Sequence, residues 1–121
     1  MNERLYPIES HETHSHRLMR HAYEELDKGD RLQASEKAWG AVAHRLKAIA
    51  AAREWRYVTH ADAYTIVDRL QREIGDPMLR TLFAVANGLH QNYYMDAVPL
   101  REMRRDISEV EDLLEMLDGI E

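Results

Sequence analysis

The chain contains no cysteine, only three prolines and five glycines, and no apolar run long enough to cross a bilayer. The lack of cysteine excludes a disulfide framework and thiolate metal sites, and it fits a reducing intracellular setting. The first residues are polar and do not resemble an apolar signal segment. We therefore expect a cytoplasmic protein that does not enter the membrane.

Charge is unevenly distributed along a chain whose length suits one ordinary domain. The 121 residues predict a single core, with a polar N-terminal tail at residues 1–12 and one domain at residues 13–121. Residues 1–60 carry a formal charge of +1 and residues 61–121 carry −7. This balance opposes general nucleic-acid binding, which rests on a basic face, although it is compatible with a local basic patch.

The pattern of apolar residues is helical, since no alternating β-branched run appears and glycine and proline fall mostly near element ends. The pattern predicts an all-α fold of about five helices. The first four cover about residues 10–28, 30–53, 59–75 and 76–94, and the fifth begins at about residue 100. Thr59 and Asp62 form a variant of the capping box, and Asp76 followed by proline marks the fourth helix. The second helix, whose apolar stripe includes Trp39, is expected to be central.

Polar residues recur at helical spacing on the second predicted helix. At about 100° per residue they share one sector, which contains Gln33, Glu36, Lys37, Gly40, His44 and Lys47. Glycine inside a helix costs about 1 kcal/mol relative to alanine, and it usually reflects the close approach of another backbone or of a ligand. The sector is therefore either a solvated face or the polar floor of a groove.

The fourth predicted helix carries a second polar ridge, formed by Phe83, Asn87, His90 and Tyr94. Histidine works as a general acid or base near neutral pH, and Asn87 could orient its ring or hold a phosphate or ribose oxygen. The alternative is a hydrogen-bonded packing histidine. Together the two helices predict a ligand site in the groove between them, formed by Gln33, Glu36, Lys37, His44, Asn87, His90 and Tyr94.

Histidines near the N-terminus form the third group of candidate residues. His11, His14 and His16 are weak candidates for binding zinc or nickel. They lie near a terminus, and the inward-facing Glu-x-x-His pairs of di-metal bundles are missing. We therefore expect neither a metal site nor a cofactor.

Three sequence blocks occur in a recognisable order: Gly29-Asp30, Gln33-Ala-Ser-Glu-Lys-Ala-Trp-Gly40 and Leu89-His-Gln-Asn-Tyr-Tyr94. With these blocks, residues 17–117 resemble the PaREP-type branch of the HEPN superfamily of small helical proteins. The resemblance implies an up-and-down helical bundle that is commonly a homodimer. It also implies one of two activities, either metal-independent RNA cleavage, as in toxin and defence proteins, or binding of nucleotides or partner proteins.

RNA cleavage in that superfamily goes with an arginine shortly before a histidine. Before His90 the corresponding positions hold no arginine, and Asn87 there cannot supply a positive charge. Arg53 and His60 have suitable spacing but span a predicted loop. The candidate catalytic residues are therefore His90, His60 and Arg53.

Three functional hypotheses remain. The favoured one is a non-catalytic HEPN-like module that dimerises and binds a nucleotide-like ligand or a partner protein such as a nucleotidyltransferase. The alternative is a metal-independent ribonuclease that uses His90 or His60. A purely structural interaction domain, in which the groove stays empty, is the third.

Overall fold

Five α-helices make up the computed structural model of the chain, which describes residues 8–95 and 98–120 and the side chains of residues 13–92 and 98–120. The helices are α1 (Ile8–Asp27), α2 (Arg31–Arg53), α3 (His60–Ile74), α4 (Met78–Met95) and α5 (Leu100–Asp118). This part of the chain contains no strand, and the predicted all-α fold is confirmed. Within it, no helix combines the length and apolar character needed to cross a bilayer.

The helix ends follow the capping residues expected from the sequence. Gly29 and Gly75 adopt left-handed conformations, with φ of 81° and 71°, after α1 and α3. At the start of α3, the Asp62 carboxylate accepts the backbone N–H of Thr59 at 2.9 Å, as the predicted capping box requires. The Asp76 carboxylate accepts the first backbone N–H of α4 at 3.0 Å. These local interactions fix where the chain turns between helices.

Helix α2 is the central element, because it packs against each of the other four helices. Helices α1, α2, α4 and α5 form a four-helix bundle, and α3 lies on its outside against α2 and α4. Small side chains let these neighbours approach α2 closely, the buried alanines being Ala34, Ala38, Ala41, Ala43, Ala48 and Ala50. Leu32, in the first turn of α2, is exposed.

A buried arginine joins the central helix to the end of the last one. Arg45 is 4% exposed, and its Nη2 donates to the backbone carbonyls of Leu117 at 3.3 Å and Ile120 at 3.4 Å. These carbonyls belong to the last turn of α5 and the residues after it, where intrahelical partners run out. Arg45 Nε lies 3.3 Å from the Asp118 carboxylate, to which His16 of α1 donates at 2.7 Å. A positive charge at a helix C-terminus is also favoured by the helix dipole.

A second buried polar group connects α4 to α2 and α5. Asn92, which is buried, donates from Nδ2 to Ser35 Oγ at 3.1 Å, and Ser35 Oγ donates to Met103 Sδ at 3.6 Å. The backbone N–H of Val98 donates to Asn92 Oδ1 at 2.8 Å and so ties the connection between α4 and α5 to the bundle. Each of these buried groups has a partner, as buried polar groups require.

Trp39 contacts the first residue of α3 from the central helix, and its removal provides a test of this architecture. The side chain is 8% exposed, and its ring centroid lies 5.1 Å from that of His60 and 6.0 Å from that of Phe83. Trp39→Ala is expected to lower the free energy of unfolding by about 3–5 kcal/mol, measured by urea denaturation. Trp55→Ala is the control, because the Trp55 ring is half-buried, and a clearly smaller loss is expected. A loss below about 1 kcal/mol for Trp39→Ala would contradict its role in the core.

Candidate ligand-binding site

Two histidines and an asparagine meet where the first turn of α3 lies against α4. His60 Nε2 donates to Asn87 Oδ1 at 2.9 Å. The imidazole rings of His60 and His90 stack with centroids 4.7 Å apart and an interplanar angle of 28°. His60 is exposed and His90 is half-buried, so the pair lies at the protein surface with one ring partly covered.

The indole ring of Trp39 supports this pair from the side of α2. Its centroid lies 4.7 Å from that of His90 and 5.1 Å from that of His60. Three rings from three helices are therefore in mutual contact. Packing on the indole and the bond to Asn87 together fix the orientation of the imidazoles, which a binding or catalytic site requires.

The electrostatic environment keeps His90 neutral near pH 7. Burial lowers the pKa of His90 below its ordinary value of 6.5, the nearby His60 lowers it further, and Glu36 acts in the opposite direction. A neutral imidazole has one nitrogen that accepts a hydrogen bond or a proton. His90 can therefore act as an acceptor toward a ligand.

Helices α3 and α4 run beside one another. Three residue pairs, each with one member on either helix, line the surface between them, which we call the α3–α4 groove. The α3 members are one turn apart, at positions 60, 64 and 68, and the α4 members are at 87, 83 and 80. The pairs are His60–Asn87, hydrogen-bonded at 2.9 Å, Tyr64–Phe83, edge to face with centroids 5.2 Å apart, and Asp68–Arg80, ion-paired at 2.8 Å. The groove therefore has an imidazole and amide end, an aromatic middle and a charged end.

A cavity of about 410 Å³ lies along this groove. Its walls include Tyr64, Asp68, Arg80, Phe83 and Asn87, so that all three pairs contribute to it. The volume falls in the range of about 300–1,000 Å³ that is typical of small-molecule sites, and a few polar groups among apolar walls are also typical. The cavity and the histidine pair share Asn87, and we treat them as one site.

The structure corrects the predicted placement of His44. Its ring packs edge-on against His14 of α1, with centroids 4.4 Å apart. A side chain at Gly40, one turn earlier, would lie 3.3 Å from Leu18 Cδ1 of α1, so this glycine makes room for α1 and not for a ligand. At about 100° per residue, His44 points about 140° away from Trp39 around α2. The structure therefore does not bring His44 and Asn87 together in one groove between α2 and α4.

The remaining predicted binding residues are divided between the two sides of α2. Glu36 lies about 60° around the helix from Trp39 and influences the pKa of His90. Gln33 and Lys37 lie about 120° and 160° from Trp39, on the side of the helix that His44 occupies. The side chain of Tyr94 lies outside the described residues.

Arg53 is separated from His60, although their spacing in the sequence suggested a catalytic pair. Its guanidinium donates to the carboxylate of Glu73, close to the end of α3, and lies over the ring of Trp55 with the two 5.0 Å apart. His60 is the first residue of α3 and Glu73 is thirteen residues later, which corresponds to about 20 Å along the helix. Arg53 therefore cannot assist chemistry at His60 in this conformation.

The N-terminal histidines do not converge. His14 packs on His44, and His16 donates to Asp118 of α5. The side chain of His11 lies outside the described residues. Within the part of the chain whose side chains are described, no three His, Cys, Asp or Glu residues are placed to hold a metal ion.

Sequence reasoning missed the α3 side of the site, namely Tyr64 and Asp68, as well as Arg80 at the start of α4. The signal was present in the spacing, because positions 60, 64 and 68 form one row on α3. That row became informative only once α4 was known to lie beside it. Alone, it resembles an ordinary half-exposed helix face.

Residues 10–114 of the chain match the archaeal PaREP1/PaREP8 family. The chain belongs to this family. Searches of curated proteins and of solved structures gave no significant match. The predicted PaREP-type assignment is therefore confirmed, and the wider resemblance to the HEPN superfamily rests on the sequence blocks alone.

The electrostatic coupling at His90 leads to opposite predictions for two substitutions. His60→Gln is expected to raise the pKa of His90, because it removes the neighbouring imidazole whose electrostatic effect lowers that pKa. Glu36→Gln is expected to lower it, because it removes a carboxylate that favours the charged ring. NMR titration of the His90 ring protons measures both shifts, with the wild-type midpoint expected below 6.5. Equal shifts of one sign would contradict the arrangement.

The same lowered pKa determines how His90 affects stability. Its folded-state pKa lies below its unfolded value, so fewer protons are bound in the folded state. The stability that this neutral histidine contributes is present above the unfolded pKa of about 6.5 and is lost as the pH falls through the folded-state pKa.

Proposed function

We propose that this protein is a non-catalytic, HEPN-like module that dimerises and binds a nucleotide-like ligand in the α3–α4 groove. The observation that carries the proposal is the meeting of His60, Asn87 and His90 on Trp39 at one end of a cavity of about 410 Å³. A partner protein, such as a nucleotidyltransferase, is the second class of binder that the family resemblance suggests.

Binding is supported by the chemical variety of the groove. The exposed ring of Tyr64 offers a flat apolar surface, on which aromatic heterocycles stack well. Asn87, bonded to His60, supplies a hydrogen-bonding carboxamide at one end of the cavity, and Arg80 supplies a positive charge at the other. Groups of these kinds, held on two packed helices, suit recognition of a small polar aromatic molecule.

Turnover is less well supported, because neither Arg80 nor Arg53 is held beside the imidazoles. Arg80 is seven residues before Asn87, about 10 Å along α4, and its guanidinium is bound to Asp68. Arg53 is held at the far end of α3. Stabilising the charge that develops in phosphodiester cleavage usually requires a positive group at the reacting atoms.

Metal-independent RNA cleavage is nevertheless the second candidate, because one specific observation favours it. Two imidazoles are in contact, and one of them has a lowered pKa. Cleavage next to a ribose 2′-hydroxyl needs one group to take a proton and another to deliver one, and a histidine pair can do both near neutral pH.

An experiment with RNA separates the two functions. In the presence of a chelator, the protein is expected to leave single-stranded RNA intact. Ribonucleoside monophosphates are expected to shift the NMR signals of His60, Asn87 and His90 together. His44, on the α1 side of α2, is the internal control and is expected not to move. Metal-independent cleavage that peaks near neutral pH and falls by orders of magnitude in His90→Ala would support the ribonuclease and contradict the binding module.

Dimerisation is supported by the family resemblance and by apolar side chains left at the surface. Ile74 and Met78, on either side of the turn between α3 and α4, are both exposed, as are Leu32 and Leu100. Exposed apolar groups of this kind suit a two-fold symmetric contact between copies.

Light scattering tests the assembly. A mass of two chains is expected at micromolar concentrations, with chain exchange at lower concentrations. A mass of one chain, 14.2 kDa, at high micromolar concentration would contradict the dimer.

A further inference from the structure

We infer that the two ends of the α3–α4 groove bind different parts of one ligand. The His60–Asn87 end takes an aromatic heterocycle, and the Arg80 end takes a phosphate. A ribonucleoside 5′-monophosphate is the simplest ligand with this chemistry. The inference deepens the proposed function and rests on it, since it adds the orientation of the ligand and the group that selects it.

The charged end carries an excess of positive charge. The carboxylate of Asp68 accepts from Arg72 Nη2 at 2.6 Å and from Arg80 Nη2 at 2.8 Å. These guanidiniums lower the pKa of Asp68, with the bond from Arg72 contributing most, so the group is ionised near pH 7. Within this group of three side chains, two cations share one anion, which leaves a sum of +1 for the three. Guanidinium groups bind phosphate through paired, charge-assisted hydrogen bonds.

Arg80 is also well placed within the groove. Its backbone N–H donates to Gln71 Oε1 at 3.3 Å, which ties the first turn of α4 to α3. Its side chain is 67% exposed and lines the cavity, so a ligand can reach the guanidinium without displacing the backbone.

The other end is suited to a ring that carries acceptor atoms. Asn87 Oδ1 is occupied by His60 Nε2, so the carboxamide offers its two N–H donors to a ligand. Ring nitrogens and carbonyl oxygens of nucleobases are acceptors of this kind. Beside Asn87, the ring of Tyr64 is 48% exposed and provides a stacking surface.

The length of the groove favours a ligand that reaches both of its ends. His60 and Asp68 are eight residues apart, which corresponds to about 12 Å along α3. Phosphate alone contacts only the charged end, and a nucleobase or nucleoside contacts only the aromatic and amide end. A ring joined to a phosphate through a sugar engages both ends, which is why the combination is expected to bind best.

Calorimetric titration tests this orientation with the four ribonucleoside 5′-monophosphates, the matching nucleosides and inorganic phosphate. At least one monophosphate is expected to bind roughly tenfold or more tightly than its nucleoside, as charge-assisted hydrogen bonds predict. Arg80→Gln is expected to reduce that affinity to the level of the nucleoside while leaving nucleoside binding unchanged. Asn87→Ala is expected to weaken both.

Arg104→Gln is the matched control. Arg104 on α5 is 56% exposed and pairs with Asp27 at 3.0 Å, so its exposure and ion pairing are comparable to those of Arg80. The control is expected to bind every ligand as the unchanged protein does. Far-ultraviolet circular dichroism should show that all variants are folded.

The outcomes distinguish the inference from the proposed function. Equal affinity for a nucleoside and its monophosphate, with loss of both in Asn87→Ala, would overturn the phosphate position and leave the binding module intact. Inorganic phosphate that binds as tightly as the monophosphates would overturn the role of the ring. Binding of none of these probes would overturn both.

A last comparison identifies the source of the nucleotide. A short RNA with a 5′-phosphate is titrated beside the same RNA with a 5′-hydroxyl. Preference for the phosphorylated RNA over the free monophosphate would assign the groove to RNA ends, and the reverse preference would assign it to free nucleotides. Either result supports the proposed orientation of the ligand. The orientation would be contradicted if the two RNAs bound with equal affinity and the free monophosphates bound no more tightly than their nucleosides.

Discussion

The contact of the Trp39 indole with rings on α3 and α4 is the interaction on which the site depends. Among the described residues α3 packs only on α2 and α4, and its first turn meets α2 through Trp39 and His60. The same indole supports His90 and touches Phe83 of α4. A large, rigid side chain can serve both purposes, because its apolar area stabilises the fold while its face orients polar rings. The same contacts of Trp39 therefore determine both the packing of the core and the geometry of the site.

Not every residue of the recognisable sequence blocks belongs to the site. Asn92 lies two positions after His90, but it is buried and bonded to Ser35, which itself lies in the second block. These two residues connect helices, in the same way that Arg45 connects α2 to the end of α5. Apolar surfaces pack in many registers, whereas buried polar groups accept few, so such contacts favour one arrangement of the bundle. The blocks thus combine residues of the candidate site with residues that hold the helices together.

The sequence predicted the elements well and the site only in part, for a physical reason. Helix ends are decided locally, so Asp62 and Gly75 could be read as a cap and a stop before any tertiary structure was known. The ridge of Asn87 and His90 on α4 was also correctly recognised as one face. The spacing of apolar and polar residues, however, shows which residues share a face of a helix and does not show which helix packs against that face. Periodicity therefore did not show that His44 packs against α1, or that Arg45 is buried.

The position of positive charge is what separates binding from cleavage in this groove. Two stacked imidazoles on an indole can exchange protons with a ligand, but in their neutral forms they cannot balance the charge of a phosphodiester transition state. The chain does hold an arginine on the same helix, at Arg80, and it holds alanine at position 84, one turn closer to the histidines. A guanidinium at position 80 reaches the far end of the cavity, where it can bind a phosphate without facing the imidazoles. This spacing of one helical turn supports the proposal that the groove binds a nucleotide and does not cleave RNA.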